Sequence, residues 1–267
     1  MKSGRFKPSH ENIKRAERKL VHLEGSINAF LDSCKYAVRA EKQSDTVFLI
    51  ARRDKCVPAD LAFDALEIVQ RLRAALDKAI VALVEANGRG CSGVGFPFGG
   101  LDRNTGRPNP FPDPRWDKQG GLKRKLSGEQ WLFVESQKPY PGGNDVLWAI
   151  NEVANVDKHR NDLVEVRCVL GYELGLTFGD GGGAYLSNLQ LRSAPADGNH
   201  LLQDPDLEHV MLAVKVAPSQ KLKIDQRIST GLVFGPVEPV AGRNVLGTLD
   251  EQIRLTKEIL AGFELLT

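Results

Sequence analysis

The chain has 267 residues, of which 42% are hydrophobic, and its 36 Lys and Arg residues against 34 Asp and Glu residues give a formal net charge of +2. This length and composition are typical of a folded globular protein with one large domain or two small ones. The charge balance argues neither for nor against nucleic acid, so any electrostatic preference for a partner must be local.

The four cysteines are far apart and form no C-x-x-C pair, and the five histidines do not cluster with them. Zinc-finger spacing is therefore absent, and we predict neither a structural metal nor a cofactor. The basic amino terminus is not followed by an apolar run of signal-peptide length, and no segment reaches membrane-spanning length without charges. These patterns predict a cytoplasmic protein with reduced thiols and no membrane contact.

An apolar residue recurs every three or four positions from residue 9 to residue 40, and Ser9 is suited to cap the amino terminus of a helix there. A helix of this length would extend roughly 48 Å at about 1.5 Å per residue, more than a compact domain needs. We therefore hypothesise that part of this first helix packs on a second copy of the chain in a homodimer. A β-rich run at residues 46–51 predicts one strand after it.

Pro58 opens a second predicted helix, whose apolar residues cover nearly its whole circumference as far as Val84. A helix that is apolar on all sides is a central, buried one. Residues 88–121 break every periodicity with Gly, Pro and isolated aromatic residues, and they predict a long loop. A third helix over about residues 122–137 and a fourth over about residues 145–159 follow.

The second half of the chain changes to a period of two. Apolar residues occupy every even position from residue 164 to residue 178, which is typical of a half-buried strand. Further strands are predicted at residues 184–191, 208–216 and 222–234, and all four would pair in hairpin order as an antiparallel sheet. We predict one α+β domain over residues 9–264, with a helical layer of about four helices at 9–160 and, at 161–264, the sheet and a final amphipathic helix.

Two polar motifs interrupt these apolar helices. Arg73 and Asp77 lie one turn apart on the second helix, where unpaired charges are costly to bury. The nearest polar partners are on the fourth helix, namely Asn151, Asn155, Asp157, Lys158, His159 and Arg160. The basic residues of that last turn also suit the free carbonyls and dipole of a helix end. The alternatives are a buried inter-helix network and an active or binding site, with His159, Asp77 and Arg73 as candidates for the chemistry.

The long loop and the start of the third helix are basic and aromatic. From residue 89 to residue 125 there are eight basic residues against three acidic ones, interleaved with four aromatic residues. This composition suits phosphate contact and base stacking, for which Arg115, Lys123 and Arg124 are the candidates. The alternative is that the aromatic residues pack the loop onto the core. A literal G-x-G-x-x-G at residues 88–93 follows a helix and opens a loop, the wrong context for a dinucleotide fingerprint.

Four motifs between about residues 60 and 160 resemble those of an uncharacterised bacterial protein family. They are L-R-x-x-L-D at Leu72 to Asp77, Phe96-Pro97, the Q-P-Y turn at Gln137-Lys138-Pro139-Tyr140, and Asp157-Lys158-His159-Arg160, in the family's order. Family members commonly carry a His after the first motif, where this chain has Lys78, and their Q-P-Y turn lacks the inserted Lys138. The family's function is unknown, so the resemblance implies that these positions act together and implies no chemistry.

The leading hypothesis is a cytosolic, non-enzymatic binding or interaction protein that contacts an anionic ligand, such as a nucleotide or nucleic acid, through the polar cluster and the basic loop. A first alternative resembles the helical HEPN ribonucleases, with Arg15 and His22 as the Arg and His pair, although these lie on the first helix instead of a late one. A second alternative is a structural subunit of a homo-oligomer. A sealed cluster would favour a structural role, and a cluster open to solvent would favour a site.

Overall fold

The computed structural model describes the backbone of residues 4–100, 109, 111–113, 118, 121–160, 166–178, 183–190, 208–215, 222–235 and 237–267, and the side chains of these residues except 36, 38, 51 and 156–230. In chain order the elements are α1 (Lys7–Ser33), β1 (Tyr36–Gln43), β2 (Thr46–Arg53), α2 (Ala59–Ala86), α3 (Leu122–Lys125), α4 (Gly128–Ser136), α5 (Asp145–Arg160), β3 (Val166–Phe178), β4 (Gly183–Gln190), β5 (Glu208–Lys215), β6 (Leu222–Phe234) and α6 (Val245–Leu265). The α+β class is confirmed. In the described ranges no helix is both long and apolar enough to span a membrane.

Contacts divide the chain into two compact units. Unit 1 comprises Met1–Glu24, Asp60–Glu165 and Phe234–Thr267, and unit 2 comprises Gly25–Ala59 and Val166–Val233. Unit 1 therefore holds most of the helices, and unit 2 holds nearly all of the strand residues. The single domain proposed over residues 9–264 stays a prediction.

Helix α2 supplies much of the unit 1 core, with fourteen buried residues that include Ile68, Leu72 and Leu83 at 0% exposure. The expectation that apolar residues cover nearly the whole circumference of this helix, and that it is buried on all sides, is wrong. Phe63 is 48% exposed, and the side chains of Arg73 and Asp77 are 23% and 37% exposed. One side of α2 thus reaches solvent, because its polar residues recur at helical spacing on that side.

The third predicted helix is two helices. Leu126 is extended (φ −96°, ψ 157°) and ends α3, and Ser127 then caps α4. The Ser127 Oγ accepts from the Gln130 backbone N–H at 3.2 Å, and the Gln130 Oε1 accepts from the Ser127 N–H at 3.0 Å. This reciprocal capping box satisfies two free helix-end donors, which explains why the helix restarts at this point.

Helix α1 is shorter than predicted, because it ends at Ser33 and the chain continues as strand β1. Its 27 residues extend about 40 Å. Its apolar stripe, which includes Ile13, Leu23 and Ile27 at 0–3% exposure, is covered by other parts of the same chain. The helix length that motivated the homodimer hypothesis is therefore reduced, and the homodimer stays a prediction.

Unit 2 contains two three-stranded sheets, ordered β1-β2-β5 and β4-β3-β6. Strands β1 and β2 form an antiparallel hairpin that closes at Gln43 and Thr46, with Ser44 in the left-handed region at φ 54°. Strand β5 pairs antiparallel with β2. The predicted hairpin order of a single four-stranded sheet is therefore wrong, since alternation identifies a strand and carries no information on its partner. The inward and outward faces predicted for β3 concern side chains outside the described residues.

Candidate polar site on α2 and α5

The candidate site begins with two charged residues one turn apart on α2. Leu72 and Leu76, at 0% and 1% exposure, fix the buried side of the helix, so Arg73 and Asp77 fall on its solvent-reaching side. The Arg73 Nε lies 3.5 Å from the Asp77 Oδ2. This is an i, i+4 ion pair in which both charges are only partly exposed, and the neighbouring residues determine their orientation.

Arg73 is fixed from two further directions. Its Nη1 donates a hydrogen bond to the Asn151 Oδ1 on α5, and its guanidinium carbon lies 4.5 Å from the centroid of the Phe98 ring. Asn151 is 8% exposed, and its own Nδ2 donates to the Glu152 Oε1 at 2.9 Å. A cation stacked on an aromatic face and hydrogen-bonded at its edge has lost most of its rotamer freedom.

Asp77 holds a segment of the long loop. Its Oδ1 accepts a hydrogen bond from the Phe96 backbone N–H at 2.8 Å. A side chain on the preceding residue, Gly95, would place its Cβ 2.9 Å from the same oxygen. An alanine at position 95 would therefore force the Asp77 carboxylate or the backbone beside it to shift.

We call residues 95–99 the bridging segment, because it connects α2 to the turn between α4 and α5. Phe96 is 4% exposed, and its ring centroid lies 4.8 Å from that of Phe98 and 6.4 Å from that of Phe263 on α6. At the other end the Gly99 N–H donates to the Pro139 carbonyl at 2.8 Å. The aromatic residues at this end of the loop therefore pack onto the core, as one of the two interpretations of the loop proposed.

The turn between α4 and α5 fixes the start of the helix that carries Asn151. Lys138 adopts φ 48°, and its carbonyl accepts from the N–H groups of Tyr140 and Asn144, both at 2.8 Å. Asn144 then caps α5, since its Oδ1 accepts from the Leu147 N–H at 3.0 Å. Lys138 thus supplies the positive φ on which this turn depends.

Three of the four resembling motifs are linked by these contacts. Asp77 binds the Phe96 backbone, and Gly99, which follows Phe98, binds Pro139. The last motif, from Asp157 to Arg160, is helical within α5, but the side chains of Asp157, Lys158, His159 and Arg160 lie outside the described residues. Asn155 is half-buried on the same helix. A contact between Asp77 and this last turn stays a prediction.

The basic residues of the loop are placed in part. On α3, Arg124 is exposed, the Lys123 Nζ lies 5.9 Å from the centroid of the Trp131 ring, and the Lys125 Nζ donates to the Ser92 carbonyl at 3.3 Å. Trp131 is 3% exposed, so it is a core residue and cannot stack on a base. Arg115 lies outside the described residues.

The G-x-G-x-x-G sequence begins with a helix cap. The Arg89 N–H donates to the Val84 carbonyl at 3.1 Å, and the Gly88 N–H donates to the Glu85 carbonyl at 3.0 Å. With Gly88 at φ 65°, this is the Schellman arrangement that ends a helix. The first glycine therefore terminates α2, in agreement with the expectation that this sequence is not a dinucleotide fingerprint.

Arg15 and His22 both lie on the exposed side of α1. The His22 Nε2 is 3.9 Å from the Asp64 Oδ2 at the start of α2, and the Lys19 Nζ is 2.7 Å from the Asp64 Oδ1. These contacts join α1 to α2 at the surface. In the part of the chain that the structure describes, nothing favours the ribonuclease alternative.

Sequence reasoning did not identify Phe98, Gly95 or Gly99 as part of the site. The sequence carried a signal for this segment, because Gly95-Phe96-Pro97-Phe98-Gly99 places two aromatic residues between two glycines, and neither glycine lies in a turn.

Comparison of the chain with protein-family models, with curated proteins and with solved structures found no match. The interpretation of the site therefore rests on its own geometry.

Proposed function

We propose that this chain is a non-enzymatic binding protein for a phosphate-bearing ligand, a nucleotide or single-stranded nucleic acid, and that Arg73 and the basic residues around α3 contact it. The observation that carries the proposal is the exposure of the polar cluster: the side chains of Arg73 and Asp77 are 23% and 37% exposed. A sealed inter-helix network would bury both charges, whereas this cluster is accessible to a solute.

Arg73 has the properties of a prepared anion contact. Its Nη1 and its ring-facing side are held by Asn151 and Phe98, while its Nη2 has no hydrogen-bond partner among the described residues and is not buried. A planar guanidinium with free N–H donors matches the oxygens of phosphate. Because the side chain is already ordered, binding would cost little further conformational entropy.

The basic residues near α3 supply charge that Arg73 alone does not. Arg89, Lys118 and Arg124 are exposed, whereas the charge of Arg73 is partly compensated by Asp77 at 3.5 Å. Exposed Lys and Arg side chains bind a polyanion by releasing condensed counterions, which makes the affinity depend steeply on salt. On this basis Arg73 orients the ligand, and the basic residues provide most of the affinity.

The test is fluorescence anisotropy with labelled single-stranded RNA, single-stranded DNA and a labelled nucleotide, each across a salt series. We expect Arg73→Ala to weaken binding. The variant that combines Arg115→Ala, Lys123→Ala and Arg124→Ala should weaken binding more than Arg73→Ala does. The salt slope of that triple variant should fall by about 0.7 for each phosphate of a single strand that the variant no longer neutralises.

The matched control removes two basic residues that already have acidic partners. Arg254 lies 3.2 Å from Glu258 and Lys257 lies 2.8 Å from Glu17, all exposed on the surface. Arg254→Ala with Lys257→Ala should leave both affinity and salt slope unchanged. Failure of the parent protein to bind any of the three probes at low salt would overturn the proposal, as would equal affinity of the parent and the triple variant.

A further inference from the structure

The bridging segment packs closely at both of its ends, where it has glycines. A Cβ on Gly95 would lie 2.9 Å from the Asp77 Oδ1, and a Cβ on Gly99 would lie 2.5 Å from the Cβ of Tyr140. The segment has no regular secondary structure, yet hydrogen bonds from its Phe96 and Gly99 backbone N–H groups fix it to two different elements. Phe98 is thereby placed under the Arg73 guanidinium.

The two carboxylate oxygens of Asp77 have separate roles in this arrangement. Oδ1 accepts the Phe96 N–H at 2.8 Å, and Oδ2 faces the Arg73 Nε at 3.5 Å. That Nε is buried and has no hydrogen-bond partner among the described residues, so its nearest compensation is the Asp77 charge. Both oxygens are therefore engaged in orienting other groups.

We infer that Asp77 is a positioning residue, which fixes the bridging segment through the Phe96 N–H so that Phe98 supports the Arg73 guanidinium in its ligand-binding orientation. The inference rests on the proposed function for the identity of the ligand. It goes beyond that function because it gives Asp77 a positioning role without any contact to the ligand. It also gives a reason for the two glycines, because a Cβ at residue 95 would press on the Asp77 carboxylate and a Cβ at residue 99 would press on Tyr140.

Three variants separate the roles of the carboxylate. Asp77→Asn keeps an oxygen that can accept the Phe96 N–H but removes the charge beside the Arg73 Nε, whereas Asp77→Ala removes both interactions. Gly95→Ala keeps the Asp77 carboxylate but places a methyl group against it, which disturbs its hydrogen bond to the Phe96 N–H. The matched control is Gly90→Ala in the same loop, since a Cβ at Gly90 meets nothing within 4 Å.

The readouts are hydrogen exchange at the Phe96 amide, the NMR signal of the Arg73 Nε–H, and RNA affinity across a salt series. Asp77→Ala should accelerate exchange at Phe96 by about tenfold, as expected for the removal of one hydrogen bond, and Asp77→Asn should keep most of the protection. The chemical shift of the Arg73 Nε–H should change in both Asp77 variants. Affinity should fall in Asp77→Ala and Gly95→Ala with an unchanged salt slope, because both variants keep every basic residue that neutralises a phosphate.

Two outcomes would overturn the inference. One is unchanged Phe96 exchange and unchanged affinity in Asp77→Ala. The other is weakened affinity with Phe96 protection intact, which would make Asp77 a direct ligand contact. If the parent protein binds no RNA, DNA or nucleotide, the proposed function fails, and the exchange and Nε–H measurements still decide whether Asp77 positions the segment. If Gly95→Ala does not fold, the comparison of Asp77→Asn with Asp77→Ala carries the test.

Discussion

Replacing Gln130 with Leu should destabilise unit 1, because this one side chain joins three separate parts of the chain. Gln130 is 3% exposed. Its Oε1 accepts from the Asn87 Nδ2 at 2.7 Å and from the Ser127 N–H at 3.0 Å, and its Nε2 donates to the Leu266 carbonyl at 3.2 Å. The end of α2, the start of α4 and the end of α6 therefore meet at a single buried amide.

The magnitude follows from these three bonds. At about 1 kcal/mol each, their loss costs about 3 kcal/mol, and the greater apolar burial of Leu returns about 1 kcal/mol. Asn87 keeps a second acceptor, the Lys125 carbonyl at 3.0 Å, so its amide is not left without a partner. We expect a net loss of about 2 kcal/mol in the free energy of unfolding.

Urea denaturation followed by circular dichroism measures this loss. The control is Gln137→Leu at the other end of α4. Among the residues that the structure describes, its amide bonds only to the Phe133 carbonyl and the Ser136 hydroxyl, both local. That control should change the free energy of unfolding by less than about 0.5 kcal/mol. A Gln130→Leu loss no larger than that of the control would show that the three bonds do not hold unit 1 together.

Three further changes test other parts of unit 1. Gln252 is fully buried on α6, and its amide has no hydrogen-bond partner among the described residues, so Gln252→Leu should stabilise the fold by about 1 kcal/mol in urea denaturation. Gly262→Ala should lower stability by about 1 to 2 kcal/mol, since its Cβ would lie 2.1 Å from the Phe133 ring. A hydrogen bond from Arg71 lowers the pKa of Glu67 below its ordinary 4.5. The stability that this lowered pKa contributes is therefore present above pH 4.5 and is lost as the pH falls through the pKa of Glu67 in the folded protein.

Each of these three has a result that would contradict it. A loss of stability in Gln252→Leu would show that the buried amide is hydrogen-bonded in solution. For Gly262→Ala the comparison is Gly90→Ala, where a Cβ meets nothing within 4 Å, and equal stabilities would rule out the clash. The stability difference between the parent and Glu67→Gln should narrow as the pH falls below 4.5, and a difference that is constant between about pH 7 and the acid range would remove the pKa argument.

Strand positions were largely predictable from alternation, and strand partners were not. The run over residues 222–234 coincides with β6, and that over 208–216 nearly coincides with β5. Apolar and polar residues alternate because successive side chains of a strand point to the core and to solvent, so the pattern is a local property of each strand. The pairing of β5 with β2 joins residues that are distant in the sequence, such as Val47 and Val214, and no local pattern encodes such a choice.

Errors at helix ends have a similar cause. Cys34 and Ala37 continue the apolar spacing of α1, so periodicity alone extended the helix through a region that pairs as β1. The break before α4 was readable, because Ser127 is followed three residues later by Gln130 in the pattern of a capping box. The charged pair on α2 was also identifiable from the cost of burying charge. The run of glycine and aromatic residues at 95–99 marks its partner segment, but the contact of Phe98 with Arg73 depends on the tertiary path of that loop, which no local pattern encodes.

Unit 1 is assembled from three stretches of sequence, and its last stretch is Phe234–Thr267. Phe263 of α6 packs on Phe96 and Phe133, whose ring centroids lie 6.4 Å and 5.2 Å from its own. On the ribosome both partners emerge long before α6, so these contacts cannot form until α6 has been synthesised. The contact of the His10 Nε2 with the Glu264 Oε1 at 2.7 Å and the ion pair of Lys257 with Glu17 likewise join the first helix to the last. Closing such long loops is slow, which exposes the nascent chain to chaperones and proteases for most of its synthesis. Deletion of a few residues from α6 would therefore act on the yield of folded protein before it acted on any binding property.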